Sequence, residues 1–364
     1  MRPDQDFVVH IGVHKTGSTA IQKHFWHYAD QYRQAGVLYP IAGRPKQREL
    51  RLGHHEIGQF LLGNSPSLPE VLTNLEREAR SSTARIVLVS SEVLDRLNSE
   101  QVVRFATVFP KNTRVIFYYR RQSEVLQGLY GTHSVHFGYR GSIHRLAQRV
   151  EERLDYLALA KRWASVVGRE NIVARPYLRS SFLGGDVVSD FLSTLALPVV
   201  ERNPGEQIDY NVSLPWYAVM IIRRMWSLEL PRDHIRAAVP AIRAICRGED
   251  NSRQFMSPSE AAAFDRKFEL SNRAFCDEFC AGQNPIEPPE AVSDVEWDAS
   301  QYQSRAALER MLLQLTKYVA AQEARGIPPI DHSATMQAKT PTTAAKTAFS
   351  STFSRYCQFL SRRN

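Results

Sequence analysis

Residues 7–34 read FVVHIGVHKTGSTAIQKHFWHYADQYRQ. Phe7 to Val13 is a short apolar run rich in β-branched residues, the composition of a strand buried on both faces. His14 to Thr19 (HKTGST) follows with small and polar residues, so a loop is predicted there. From Ala20 to Gln34 the apolar period becomes helical, with Ile21, Phe25, Tyr28 and Tyr32 on one face. Strand, loop and helix in this order open a unit that builds parallel sheets.

The alternation continues downstream. Arg85–Ser90 (RIVLVS) and Thr113–Tyr119 (TRVIFYY) read as buried strands, the second leading into Arg120. Val102–Phe109 lies between them as a helix, and Ser123–Tyr130 starts another. Leu154–Val167 is an amphipathic helix stopped by Gly168. Asn171–Pro176 is a fourth strand, and Val187–Leu195 is a helix after the Gly184-Gly185 turn. From Trp216 the pattern is helical, broken by Pro and Gly. A Pro-rich connection spans 284–289, and a long amphipathic helix is predicted over 303–325. There is no internal repeat. The expectation is an α/β fold: a central parallel sheet covered on both faces, with a mainly helical C-terminal part. Residues 1–328 read as one α/β domain, with 216–328 a helical subregion on the acceptor side and 329–364 a basic tail.

Composition bounds the function. The chain has 364 residues, 43% hydrophobic and 23% charged, which excludes a disordered or fibrous protein. Four cysteines, Cys246, Cys276, Cys280 and Cys357, are too few for a disulfide scaffold and point to a reducing compartment. Cys276 and Cys280 lack two further ligands at zinc spacing and read as half-buried thiols on one helix face, so no metal is expected. Met1–Asp6 has no signal-peptide pattern, and no apolar window approaches the length of a membrane span. A cytoplasmic protein follows. Of the net charge of +8, five units come from Lys339, Lys346, Arg355, Arg362 and Arg363 in His332–Asn364, a stretch with no acidic residue. The remaining +3 fits an anionic ligand and does not demand nucleic acid. Phe349, Phe353, Tyr356 and Leu360 share a helical face beside Arg355, Arg362 and Arg363. Such a face docks on its own domain or on a second subunit, or makes peripheral contact with an anionic membrane. Oligomeric state is not legible.

The chemistry concentrates in Gly12-Val13-His14-Lys15-Thr16-Gly17-Ser18-Thr19. A loop at a helix N-terminus presents backbone N–H groups and the positive end of the helix dipole to a phosphate. Lys15 adds a point charge; Ser18 and Thr19 add hydroxyls. A nucleoside-triphosphate loop reads G-x-x-x-x-G-K-[ST]. Here Gly12 and Gly17 keep that spacing, but Ser18 stands in the lysine position and the lysine comes early, at Lys15. This P-loop-like arrangement suits a shorter anion, such as the 5′-phosphate of a nucleotide.

HIGVHKTGSTAIQ resembles the 5′-phosphosulfate loop of sulfotransferases that use 3′-phosphoadenosine 5′-phosphosulfate (PAPS). Their bacterial carbohydrate-type branch carries P-K-T-G-[ST]-T. Lys15, Thr16, Gly17, Ser18 and Thr19 match it, and His14 stands in the proline position. VIFYYRRQSEVLQGLY, Val115–Tyr130, is similar to the family's 3′-phosphate segment, in which a strand-end arginine and a serine eight residues later grip the phosphate. Arg120 takes the arginine position. Gly128 takes the serine position, leaving Arg121 and Ser123 as candidates for the missing contact. Residues 154–195 are similar to the segment that follows in bacterial members.

The resemblance implies a P-loop-like three-layer fold and PAPS as co-substrate. Lys15, Thr16, Gly17, Ser18, Thr19 and Arg120 would bind it without metal. It further implies sulfuryl transfer to an acceptor hydroxyl on a carbohydrate or glycolipid, with Lys15 stabilising the leaving phosphate. A base must take the acceptor proton. Glu92, directly after the strand RIVLVS, and His55, of the His54-His55 pair, are the candidates; His133 and His136 are weaker ones. Two alternatives stay open: a small-metabolite kinase, and a degenerate non-catalytic member that binds nucleotide or only a partner.

Overall fold

Successive side chains of the first strand, β1 (Asp6–Ile11), enter two different cores. In this computed structural model, residues 4–45, 52–64, 68–107, 109–110, 112–198, 214–229, 232–246, 255–282, 284–288 and 294 are described. Phe7, Val9 and Ile11 pack into one core and Val8 into the other, as the two-residue period of a strand requires. β1 lies at the centre of a five-stranded sheet with β2 (Val37–Leu38), β3 (Ile86–Ser91), β4 (Arg114–Tyr119) and β5 (Ile172–Pro176). The order is β2-β3-β1-β4-β5, and every pair is parallel. The α/β fold with a central parallel sheet is therefore present, with one strand more than the sequence reading. β2 has two residues, too few to display a period.

Helices cover both faces. α1 (Ser18–His27), α2 (Ala29–Gln34) and α9 (Val187–Thr194) supply one core with Ile21, Phe25, Tyr28, Tyr32 and Phe191. The helix expected over 20–34 is thus two, joined at Tyr28, and it starts two residues earlier; the buried stripe runs through both. The opposite core takes residues from α3 (His55–Leu61), α4 (Leu68–Ser81), α5 (Ser99–Ala106), α8 (Tyr156–Val167) and α13 (Glu269–Phe279). Asn98 and Gln101 close α5 with a capping box, a start signal that shifts this helix upstream of 102–109.

The described residues fall into two compact units. One draws on Met1–Leu129, Leu146–Val212 and Ser259–Val292, and contains the sheet. The other draws on Tyr130–Arg145 and Ser213–Pro258. Its core is built by Val135 with α10 (Trp216–Ser227) and α11 (Arg232–Ile245), through Ile221, Ile222, Ile235 and Ile242. Within it Arg223 donates to the carbonyls of Tyr139 (3.0 Å) and Arg140 (3.0 Å), pinning that turn. The helix expected over 303–325, the boundary at 328/329 and the tail face carrying Phe349 and Tyr356 lie outside the described residues. α6 (Gln122–Phe137) follows β4, and α7 (Ile143–Val150) precedes a short turn into α8. Among the described residues no helix is long and apolar enough to cross a membrane.

Candidate functional site

Parallel pairing places the carboxyl ends of β1, β3 and β4 at one edge of the sheet, with Ile11 opposite Ser91. The loop Gly12–Gly17 leaves β1 there and enters α1. Gly17 is the N-cap of α1 at φ 81°, a left-handed conformation. A β-carbon on Gly17 would lie 2.8 Å from the Tyr177 ring and 3.0 Å from Val187. Glycine is needed both for the backbone and for the space. Lys15 is also left-handed, at φ 70°, a conformation that costs a non-glycine residue about 1–2 kcal/mol. No side chain caps α1, and no acidic residue occupies its first turn. The end keeps its N–H groups and its positive dipole for another partner.

The loop is braced from within. Thr16 Oγ1 donates to the Val13 carbonyl at 2.6 Å and is buried, so this hydroxyl holds the turn and only the Thr16 backbone remains for a ligand. Ser18 Oγ reaches the same carbonyl at 3.5 Å. Thr19 is half-buried in the first turn of α1. A β-carbon at Gly12 would meet the Ser18 hydroxymethyl group at 2.8 Å and Glu92 Cγ at 3.0 Å. Gly12 therefore lets the Glu92 side chain approach Ser18 across the strand ends.

Arg120 follows β4 and reaches the loop. Its Nη1 donates to the Lys15 carbonyl at 3.1 Å, its Nε donates to Glu124 at 2.7 Å, and the guanidinium lies 5.3 Å from the Tyr177 ring centroid. Tyr156 fixes the Arg120 backbone, donating to its carbonyl at 2.7 Å. Tyr177 thus supports both Gly17 and Arg120; it carries no motif, and only its place after β5 puts it there.

Gly128 and Ser123 depart from the sequence reading. A β-carbon at Gly128 would fall 2.6 Å from Lys15 Cγ and 3.1 Å from Lys15 Cβ. The lysine stem runs across this face of α6, so the missing serine makes room for Lys15. Ser123 cannot replace that serine. Its backbone N–H and its Oγ both donate to Asp265, each at 2.7 Å. Asp265, in α12 (Pro258–Arg266), is buried, and desolvation pushes its pKa up. Ser123 is part of a helix cap.

Of the candidate bases, Glu92 opens the turn after β3 beside Gly12, as described. His55 opens α3, with Nδ1 at 3.1 Å from Ser91 Oγ. Burial pushes the His55 pKa down, against the Glu92 charge. His54 serves the fold: its Nδ1 accepts from the Ser90 N–H at 3.0 Å and its Nε2 donates to the Pro40 carbonyl at 2.9 Å. Burial lowers its pKa to about 3. The sheet edge therefore assembles Lys15, Thr16, Gly17, Ser18, Thr19, Glu92, His55 and Arg120. His133 and His136 lie in the last turns of α6, in the second unit.

One pair escaped the sequence reading. Asp95, buried in the turn Glu92–Arg96, accepts from His14 Nδ1 at 2.7 Å. A histidine in place of proline, with an acid after the next strand, is a weak signal across 81 residues. Among the described residues no group of three His, Cys, Asp or Glu side chains is placed to hold a metal ion.

No known family model matches the sequence. A protein of Archaeoglobus fulgidus described as uncharacterized is 24% identical over 206 residues, covering 54% of this chain and 55% of that protein. The chain thus spans about half the length of this relative. The crystal structure of a sulfotransferase from Alicyclobacillus acidocaldarius is similar at a TM-score of 0.39 and 14% identity, covering 67% of this chain and 99% of that one. Neither likeness carries an activity over to this chain.

Proposed function

We propose that the protein is a PAPS-dependent sulfotransferase, moving a sulfuryl group to an acceptor hydroxyl, on a carbohydrate or glycolipid by the resemblance of its loop. The observation that carries this reading is the Arg120 bond to the Lys15 carbonyl, which joins two motif halves 105 residues apart. The residues suit a 3′,5′-bisphosphorylated nucleotide. An uncapped helix start and Lys15 stand ready for the 5′-phosphate, and Arg120 stands one loop away for the 3′-phosphate.

When bound, PAPS supplies a sulfuryl group on a phosphate leaving group. Lys15 and the N–H groups at the start of α1 stabilise charge on that phosphate. Glu92 or His55 takes the acceptor proton. Gly17 and Gly12 let the backbone wrap closely around the anion, and Tyr177 orients Arg120. The carboxylate of Glu124 shares Arg120 and must yield part of it to a phosphate. No residue of the second unit is assigned to the acceptor.

Isothermal calorimetry with 3′-phosphoadenosine 5′-phosphate (PAP), ADP and ATP tests the donor site, with Lys15→Ala and Arg120→Ala beside wild type. The expected result is binding of PAP in preference to ADP, weakened at least about tenfold by either substitution. Preference for ATP with Mg²⁺ would replace this reading with the kinase. Absence of nucleotide binding would leave the non-catalytic partner protein.

A further inference from the structure

His14 has an unusual combination of contacts for a loop residue. Its ring Nδ1 and its backbone N–H both lie on one oxygen of Asp95, at 2.7 and 3.4 Å. The other Asp95 oxygen accepts from Arg153 at 3.3 Å. The ring keeps 29% of its side-chain surface exposed, and among the described residues Nε2 has no hydrogen-bond partner. His14 therefore stands in the loop, next to Lys15, with one nitrogen anchored on a buried carboxylate and the other unengaged.

We propose that His14 is a titrating cation of the anion-binding loop. Asp95 holds its imidazolium so that Nε2–H donates to the bound nucleotide, and nucleotide affinity follows the charge of this ring. The proposal rests on the nucleotide site described above and adds to it a residue and a pH dependence. The Nδ1 contact fixes the chemistry of the other nitrogen. With Nδ1–H on Asp95, a neutral ring offers Nε2 as a lone pair, which repels phosphate oxygens; a protonated ring offers a donor. The charged groups around the ring are Asp95 and Glu92 from the turn after β3, Arg153 from the turn before α8, and His55 from the start of α3. Burial by itself would lower the His14 pKa. The charge and hydrogen bond of Asp95, with the Glu92 charge, outweigh burial and Arg153, and raise it. His55 differs: it lacks an anchoring carboxylate and its pKa is lowered. Of the two rings, His14 is the one suited to carry charge near neutral pH.

Linkage gives the sign. An anion that binds the charged ring raises its pKa, and affinity falls as pH rises through the pKa of the free protein. A rise of one unit on binding corresponds to about a tenfold loss of affinity from low to high pH. The phosphates of PAP titrate with a pKa of about 6, so the informative quantity is the ratio of variant to wild-type Kd at each pH.

Two measurements on the full chain decide the matter. PAP binding is followed by calorimetry from about pH 6 to 9 for wild type and His14→Asn, which keeps a donor for Asp95 but has no ionisable ring. The expected ratio is about tenfold at the acid end and falls toward one at the alkaline end. In parallel, NMR follows the His14 ring in wild type and in Asp95→Asn, with and without PAP. Saturation should move the His14 titration to higher pH, and Asp95→Asn should lower it in the free protein. A ratio independent of pH, or a His14 titration unmoved by PAP, overturns the proposal while leaving the nucleotide site intact. Absence of PAP binding to wild type at pH 6 overturns the nucleotide site and this proposal with it. The wild-type NMR titration with and without PAP needs no variant, so a His14→Asn or Asp95→Asn protein that fails to fold does not shield the proposal.

Discussion

Two helices begin at the same edge of the sheet and are treated in opposite ways. α1, after β1, starts at a left-handed glycine, with no side-chain cap and no acid in its first turn. α6, after β4, is closed by Asp265, which accepts both the N–H and the hydroxyl of Ser123. Gln122 beside it exchanges amide hydrogen bonds with Asn272 at 2.7 and 3.1 Å. A helix start is an anion site only when the protein leaves it open. The closed start instead supplies a rigid base from which Arg120 reaches across, and along which Gly128 makes room for Lys15.

The widest contrast is between histidines of the scaffold and of the loop. His10 and His54 are fully buried, and burial lowers both pKa values to about 3. In the unfolded chain they titrate near 6.5, so below that pH the unfolded state binds more protons than the folded one. Stability present above about pH 6.5 is lost as pH falls, by about 1.4 kcal/mol per pH unit for each histidine. Urea titrations between pH 7 and 4.5 should show this loss, reduced by about half in His10→Gln. A flat profile would mean that neither ring is buried neutral. His14, with its raised pKa, should respond in the opposite sense, gaining charge as the scaffold weakens.

Gly17→Ala should cost about 3 kcal/mol, from the left-handed backbone and the Tyr177 and Val187 contacts, and should abolish PAP binding. Asp265→Ala sharpens the contrast from the other side. Leaving two Ser123 donors without their acceptor should cost about 2 kcal/mol of stability, while PAP affinity changes less than about threefold. If this variant destroyed binding and Gly17→Ala did not, the roles of the two helix starts would be reversed.

Gly128→Ser tests the lysine channel. It installs the residue that the sulfotransferase pattern carries, yet it should weaken PAP binding about tenfold by displacing the Lys15 stem. Tighter binding would show that the glycine is a lost contact. The smallest effect is expected from Glu124→Gln, which frees Arg120 from its carboxylate. PAP affinity should rise about threefold, since a half-exposed ion pair is worth little.

Much of the frame was readable because local patterns set it. Ile21, Phe25, Tyr28 and Tyr32 declared a buried face by spacing, and that face persists although the helix is split at Tyr28. The strands carrying Val9, Val89 and Val115 announced themselves as apolar runs. The loop Lys15–Thr19 and Arg120 were legible as motifs because each is contiguous with a strand end. Two-residue β2 and seven-residue α3 are too short to display a period; α4 and α7 were passed over although each carries an apolar stripe at helical spacing, Val71, Leu75 and Ala79 in one and Ile143, Leu146, Ala147 and Val150 in the other. Contacts between distant residues were also out of reach. Asp95 on His14, Asp265 on Ser123 and the Lys15 stem on Gly128 each depend on how the sheet brings chain segments together, which no local spacing encodes.

In the proposed function the open start of α1 and Arg120 together hold a 3′,5′-bisphosphorylated nucleotide. A crystal structure with PAP would locate both phosphates. The 5′-phosphate is expected on the N–H groups of residues 16–19 with Lys15 beside it, and the 3′-phosphate on Arg120 in place of part of Glu124. Nucleotide bound elsewhere, or bound at α1 with Arg120 still closed on Glu124, would contradict that function.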